Sequence, residues 1–181
     1  MNTTAAVANV TTPVVRPGMT SGAAGPLGTE FFQTAYVTND LDRAIAEMRE
    51  HNNIPEFFVM DTPLPDGSGS IAIALAWTGG VQIEIIEPRA PNTVYENVFS
   101  ALKEEGFGIR HHHFGYFVNS DEEWDALEAY WRDNGIEIAF GDTTDGFLRF
   151  AYIWNPTLNH YLEYVQPFAG LKEVFENVPS S

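Results

Sequence analysis

The chain has 181 residues, 44% of them hydrophobic, which suits one domain or two small modules sharing a core. A net charge of −16, with only nine Lys and Arg, argues against nucleic-acid binding, because a phosphate backbone requires a basic footprint. With no cysteine, disulfides, thiolate chemistry and zinc-finger ligation are excluded, so any metal site must use His, Glu, Asp, Gln or water. No run approaches a membrane span and residues 1–28 lack a secretory pattern, so the expected location is the cytoplasm, with no membrane partner.

In chain order, residues 1–28 mix Thr, Ala, Val, Gly and Pro without a sustained period and read as a flexible arm. A strand is expected over 31–37, then a helix over 40–51, in which Leu41, Ala44, Ile45 and Met48 share a face and Asn39 or Asp40 caps the start. Three strands follow at 56–61, 70–77 and 81–86, separated by turn residues at 63–67 and 78–80. Residues 91–105 read as a connecting helix. A strand at 112–118 and a helix at 121–134 come next; Ser120 and Glu123 form a capping box and Trp124, Leu127 and Trp131 its apolar stripe. Strands at 136–140, 147–154 and 160–166 close the pattern. The expected architecture is α+β: two tandem βαβββ modules, 29–90 and 109–170, joined by a connector at 91–108 and followed by a C-terminal tail at 171–181, whose curved mixed sheets form a metal-binding cleft.

The second module repeats the first in letters as well as in elements. Gln33 to Asp40 reads against His113 to Ser120, and Ile83-Glu84-Ile85-Ile86-Glu87-Pro88 against Leu162-Glu163-Tyr164-Val165-Gln166-Pro167. The spacing from Gln33 to Glu84 is 51 residues and from His113 to Glu163 is 50. Each half thus offers one polar residue opening its first strand and one glutamate inside its last, which suggests a four-ligand site. Strand alternation puts Gln33, Ala35 and Val37 on the cleft face with Gln82, Glu84 and Ile86, and Tyr161 with Glu163 and Val165. It also puts His111, His113, Gly115 and Phe117 on that face, and His112 on the opposite one. Glu84 and Glu163 sit among apolar neighbours, where an ionised carboxylate needs a cation or a donor unless its strand lies at an exposed edge.

The four segments Gln33–Ile45, Gln82–Pro88, His112–Val118 and Tyr161–Pro167 together resemble the vicinal oxygen chelate superfamily, which includes glyoxalase I, methylmalonyl-CoA epimerase, bleomycin-resistance proteins and extradiol dioxygenases. The resemblance covers about residues 30–167. It implies Gln33, Glu84, His113 and Glu163 as metal ligands, a set similar to that of some glyoxalase I enzymes, and a homodimer. The stretch from Thr62 to Gly67 looks more like the epimerase, but that enzyme places a second catalytic glutamate just before it, where this chain has Met60 and Asp61.

The reading favoured by these residues is a metal-dependent lyase or isomerase that abstracts a proton next to a carbonyl. The divalent ion is Zn, Ni, Co, Mn, Fe or Mg, Glu163 is the expected base, and Glu84 is its pseudo-symmetric alternative. Trp77, Tyr152, Trp154 and Tyr161, with Arg149 as a nearby cation, are expected to contact a small carbonyl or apolar, aromatic substrate. The scarcity of Arg and Lys gives little to hold coenzyme A phosphates. Two other readings stay open: a metal-free small-molecule binding protein of the same fold, and a ring-cleaving dioxygenase, which would require His111 as a second histidine ligand.

Overall fold

The alternation of β-branched and aromatic residues with short polar breaks resolves, in a computed structural model, into eight strands and four helices among the described residues. The structure describes residues 29–64, 67, 69–89 and 94–181. The expected arm at 1–28 lies outside them. The first module contains β1 (Glu30–Thr38), α1 (Leu41–Asn52), β2 (Phe58–Pro63), β3 (Ser70–Thr78) and β4 (Val81–Pro88). The connector helix is α2 (Glu96–Glu105), and the second module contains β5 (Ile109–Phe117), α3 (Asp121–Asp133), β6 (Ile138–Thr144), β7 (Leu148–Asn155) and β8 (His160–Pro167). A fourth helix, α4 (Ala169–Asn177), follows, an element that the sequence reading did not include.

Local chemistry accounts for the element ends. Asp40 caps α1 by accepting from the Arg43 N–H at 3.0 Å, and Asn53 ends it in the left-handed region at φ 55°. Ser120 accepts from the Glu123 N–H at 3.2 Å while the Glu123 carboxylate accepts from the Asn119 N–H at 2.8 Å, a capping box displaced by one residue. Gly79 and Gly80, at φ 57° and 80°, form the two-residue turn between β3 and β4, a conformation that a β-carbon would strain.

The strand order is β2-β3-β4-β1-β5-β8-β7-β6 in one mixed sheet, whose two halves have the same order outward from the centre. In each module the first strand pairs parallel with the last, β1 with β4 and β5 with β8, and the modules meet through the antiparallel pair β1·β5. The α+β fold of two βαβββ units is therefore present, with the repeats joined edge to edge inside one chain. On one face, α1 buries Leu41, Ala44 and Ile45 against β3 and β4, and α3 buries Trp124, Leu127 and Trp131 against Tyr164 and Leu162. Each large side chain removed from water there contributes about 1.5–3 kcal/mol.

The other, concave face is closed by α2 and α4. Leu171 of α4 is buried, and Val174 and Phe175 pack on the same cluster as Phe32, Val37, Tyr95 and Tyr152. Backbone hydrogen bonds hold α4 at both ends. The N–H groups of Phe168 and Gly170 donate to Phe147 and Gly146, each at 2.9 Å, while Pro179 accepts from the Trp77 N–H at 2.8 Å. This helix thus runs from a hairpin of the second module to a strand of the first.

Candidate functional site

Two β-bulges decide what the central strands present. Across β1·β5, Gln33 pairs with Gly115 and Ala35 with His113, but Phe31 pairs with Tyr116 and Tyr36 with His111. Phe32 and His112 are consequently extra residues, one on each strand, 80 positions apart and related by the repeat. A bulge places two successive side chains on one face. Phe32 and Gln33 both line the concave cavity, and His112 packs beside His113, Tyr95, Tyr152 and Tyr161. His111 is turned away onto Tyr36, Phe114 and His160. Unbroken alternation placed these two histidines the other way round; the bulge reverses them.

Small residues on the central strands leave room for long ones to converge. Ala35 lies between its register partners Glu84 and His113, and Gly115 lies between Gln33 and Glu163. His113 Nε2 stands 3.3 Å from Glu84 Oε2 and 3.1 Å from Glu163 Oε2. His113 is fully buried and each glutamate is 8% exposed. One ligand atom from each of the three lies within 4.8 Å of the others. The pairing is one of proximity: Glu84 Oε2 and His113 Nε2 lack a directed hydrogen-bond partner. Gln33 lines the same cavity and donates from Nε2 to Gln82 Oε1 at 2.7 Å, which leaves its Oε1 buried and unpartnered.

Burial raises the Glu84 carboxyl above its ordinary pKa, against the opposing pull of His113. Burial also disfavours charge on His113, but the carboxylates of Glu163 and Glu84 outweigh it and lift its pKa to about 9. His112, buried beside His113, is depressed to about 3 and is neutral. Its Nε2 lies 2.9 Å from the Val94 carbonyl, and its Nδ1 lies 2.9 Å from His113 Nδ1.

The cavity around these groups has a volume of about 330 Å³. Its walls include Leu64, Ile73, Phe140, Phe150, Leu171 and Phe175, and no Lys or Arg lines it among the described residues. Tyr95 and Tyr152 share a hydrogen bond of 3.1 Å between their hydroxyls at its edge. Burial keeps both phenols protonated, their pKa values held well above the ordinary one. Met60 points into the cavity, whereas Asp61 turns outward to Arg89 at 2.6 Å.

Of the five residues expected to contact substrate, Tyr152 lines the cavity. Tyr161 packs behind it against His112 and beside Trp154, which is 44% exposed; both border a second, more open cavity. Trp77 packs against Phe32 and Phe175. Arg149 lies over the Trp124 ring and pairs with Glu128 at 2.7 Å, on the α3 side of the sheet. Gln82 and Tyr95 belong to the site without having been singled out as site residues. Gln82 was reachable by alternation from Glu84, whereas Tyr95 comes from the connector, where no periodicity indicated the cavity.

Among solved structures the fold is similar to methylmalonyl-CoA epimerase from Mycobacterium tuberculosis, with 20% identity and a TM-score of 0.55 over 80% of this chain and 91% of that one. It is also similar to a variant of the Streptomyces coelicolor methylmalonyl-CoA epimerase in complex with 2-nitronate-propionyl-CoA, with 21% identity and a TM-score of 0.53 over 78% of this chain and 96% of that one. At such identities the likeness is one of fold. No curated protein sequence matches the chain. The family model of the Glyoxalase/Bleomycin resistance protein/Dioxygenase superfamily matches residues 28–152, and with the paired modules and the buried Glu-His-Glu group already in place, the chain belongs to that superfamily.

Proposed function

We propose that the chain is a metal-dependent lyase or isomerase that moves a proton next to a carbonyl group of a compact, largely apolar substrate. The observation that carries this reading is the convergence of Glu84, His113 and Glu163 at one end of an otherwise apolar cavity. Buried carboxylates are costly unless compensated, and the unpartnered atoms Gln33 Oε1, Glu84 Oε2 and His113 Nε2 are what a cation would satisfy. This donor set of oxygens and one imidazole nitrogen suits Zn, Ni, Co, Mn, Fe or Mg. When bound, such an ion supplies Lewis-acid stabilisation of the negative charge that develops on the carbonyl oxygen.

The residues divide the remaining work. Glu163 takes the proton, with Glu84 as its counterpart across the pseudo-twofold axis. The Tyr95–Tyr152 hydroxyl pair supplies neutral donors near the carboxylates, and the apolar walls exclude water, which strengthens every polar contact inside. Met60 offers a thioether where a second base would stand, so an epimerisation that needs a carboxylate at that place is disfavoured. Coenzyme A esters, which some similar proteins bind, fit poorly as whole ligands. Four cations on or next to the cleft strands are engaged elsewhere: Arg89 with Asp61, Arg110 with Glu105, Arg149 with Glu128, and Lys103 over Phe99.

A second reading is favoured by one observation: His113, when charged, lies between the two glutamates and offsets one of their two charges without a metal, which suits a metal-free protein sequestering an apolar molecule. The dioxygenase reading is weakened, because His111 faces away and His112 spends its Nε2 on Val94. Elemental analysis of protein purified without a histidine tag separates the two main readings. Roughly one divalent ion per chain, lost in Glu84→Ala and Glu163→Ala, supports the enzyme; a folded protein that never takes up metal overturns it.

A further inference from the structure

We infer that His112 is a positioning residue, which holds the His113 ring with Nδ1–H directed to itself and leaves Nε2 on the side of Glu84 and Glu163. The inference deepens the metal reading proposed above, but its core is a hydrogen-bond pattern that exists without metal. The Val94 carbonyl can only accept, so the His112 Nε2 at 2.9 Å from it carries the hydrogen. The partners of its two ring nitrogens are that carbonyl and His113, with no carboxylate to hold a second proton, so the His112 lone pair stays on Nδ1. That lone pair faces His113 Nδ1 at 2.9 Å, so His113 must donate there. The nitrogen left for the two carboxylates is Nε2, the atom that stands 3.1 and 3.3 Å from them. A ligating histidine has its tautomer and ring angle set by the partner of its other nitrogen; here that partner is the adjacent residue in the chain.

Adjacent residues of a regular strand point to opposite faces and do not make such a contact. The bulge removes this obstacle by turning His112 onto the concave face, where it is 2% exposed. The ring is wedged between Tyr95, Tyr152 and Tyr161, with centroids 4.9, 6.0 and 5.0 Å away, so it cannot rotate away from His113 without displacing aromatic neighbours. Val94 and Tyr95 together seat the connector on the centre, one through its carbonyl on His112 and the other through its hydroxyl on Tyr152.

The test uses the full-length protein with His112→Phe, which keeps a ring and removes both nitrogens, and His112→Gln, whose amide restores an acceptor and a donor. In metal-free wild type, a nitrogen–nitrogen scalar coupling across the His113 Nδ1–H···Nδ1 His112 hydrogen bond is expected by NMR, with His112 protonated on Nε2. Absence of the coupling from a folded sample, or a proton on His112 Nδ1, overturns the proposal. Zinc titration by competition then reads the consequence. His112→Phe is expected to weaken zinc binding about 10- to 100-fold, with His112→Gln recovering most of it. Equal affinities for wild type and His112→Phe overturn the positioning role. A wild type that binds no zinc while showing the coupling counts against the metal reading alone and supports the orientation of His113.

Discussion

Gln33 lies across Gly115 in the β1·β5 ladder, so closely that a β-carbon at position 115 would stand 2.7 Å from Gln33 Oε1. Glycine fits this position because the Gln33 side chain crosses over it, and its backbone does not adopt a positive φ. Gly115→Ala must therefore push the Gln33 amide away from the cavity centre. The expected result is zinc affinity reduced about tenfold, with a stability loss of roughly 1–3 kcal/mol from overpacking. Unchanged affinity in a folded variant would show that Gln33 takes no part in holding the ion.

Glu163→Gln separates base from ligand. The amide keeps an oxygen for the metal but cannot accept the proton, so turnover on a substrate found by panel screening should fall roughly 100- to 10,000-fold with metal retained. Full turnover with metal bound would remove Glu163 from the role of base. A metal-free readout accompanies it. Loss of a carboxylate that holds the proton on His113 should bring the His113 pKa down from about 9, followed by NMR titration.

The same proton makes stability depend on pH. His113 is raised from 6.5 to about 9 in the folded protein, so its stabilising contribution is complete below 6.5 and is lost as pH rises through about 9. Glu84, also raised, acts in the same sense at lower pH: the folded state takes up its proton more readily than the unfolded chain does. The melting temperature of metal-free protein should thus fall between about pH 6.5 and pH 9.5, as a calorimetric series would measure. Metal affinity should rise across that window, since His113 must release its proton to coordinate. A flat melting profile would contradict the charged His113–glutamate cluster.

Leu171→Ala tests whether α4 is a wall of the cavity. Leu171 is 8% exposed and reaches into the cavity lining. Truncating it should cost about 2–5 kcal/mol in chemical denaturation. A loss below about 0.5 kcal/mol, as at an ordinary surface position, would show that α4 merely lies against the sheet.

Much of this arrangement was legible in the letters. The repeat, the capping signals at Asp40 and Ser120, and the apolar stripe of Trp124, Leu127 and Trp131 act over short distances, so local sequence records them. Glu84 and Glu163 were legible because a carboxylate among strand apolars is costly anywhere. His112 was read onto the wrong face because a bulge is a property of the pairing between two strands, which neither strand displays alone. Trp77 and Arg149 were placed near the cleft by their strands, but their partners are tertiary: Phe175 on a helix 98 residues away and Glu128 on α3. The role of Met60 depended on which of two neighbouring residues turns inward, and the ion pair of Asp61 with Arg89 answers that.

The pairing of β1 with β5 has a genetic consequence. In this structure Gln33, Glu84, His113 and Glu163 come together from one polypeptide, so on the function proposed above a lesion in either half is expected to disable the whole centre of that molecule. Co-expressing a chain defective at Glu84 with one defective at Glu163 should restore no activity, because neither molecule can lend its intact half to the other. Neither repeat assembles the cluster by itself, since Glu84 belongs to the first and His113 and Glu163 to the second.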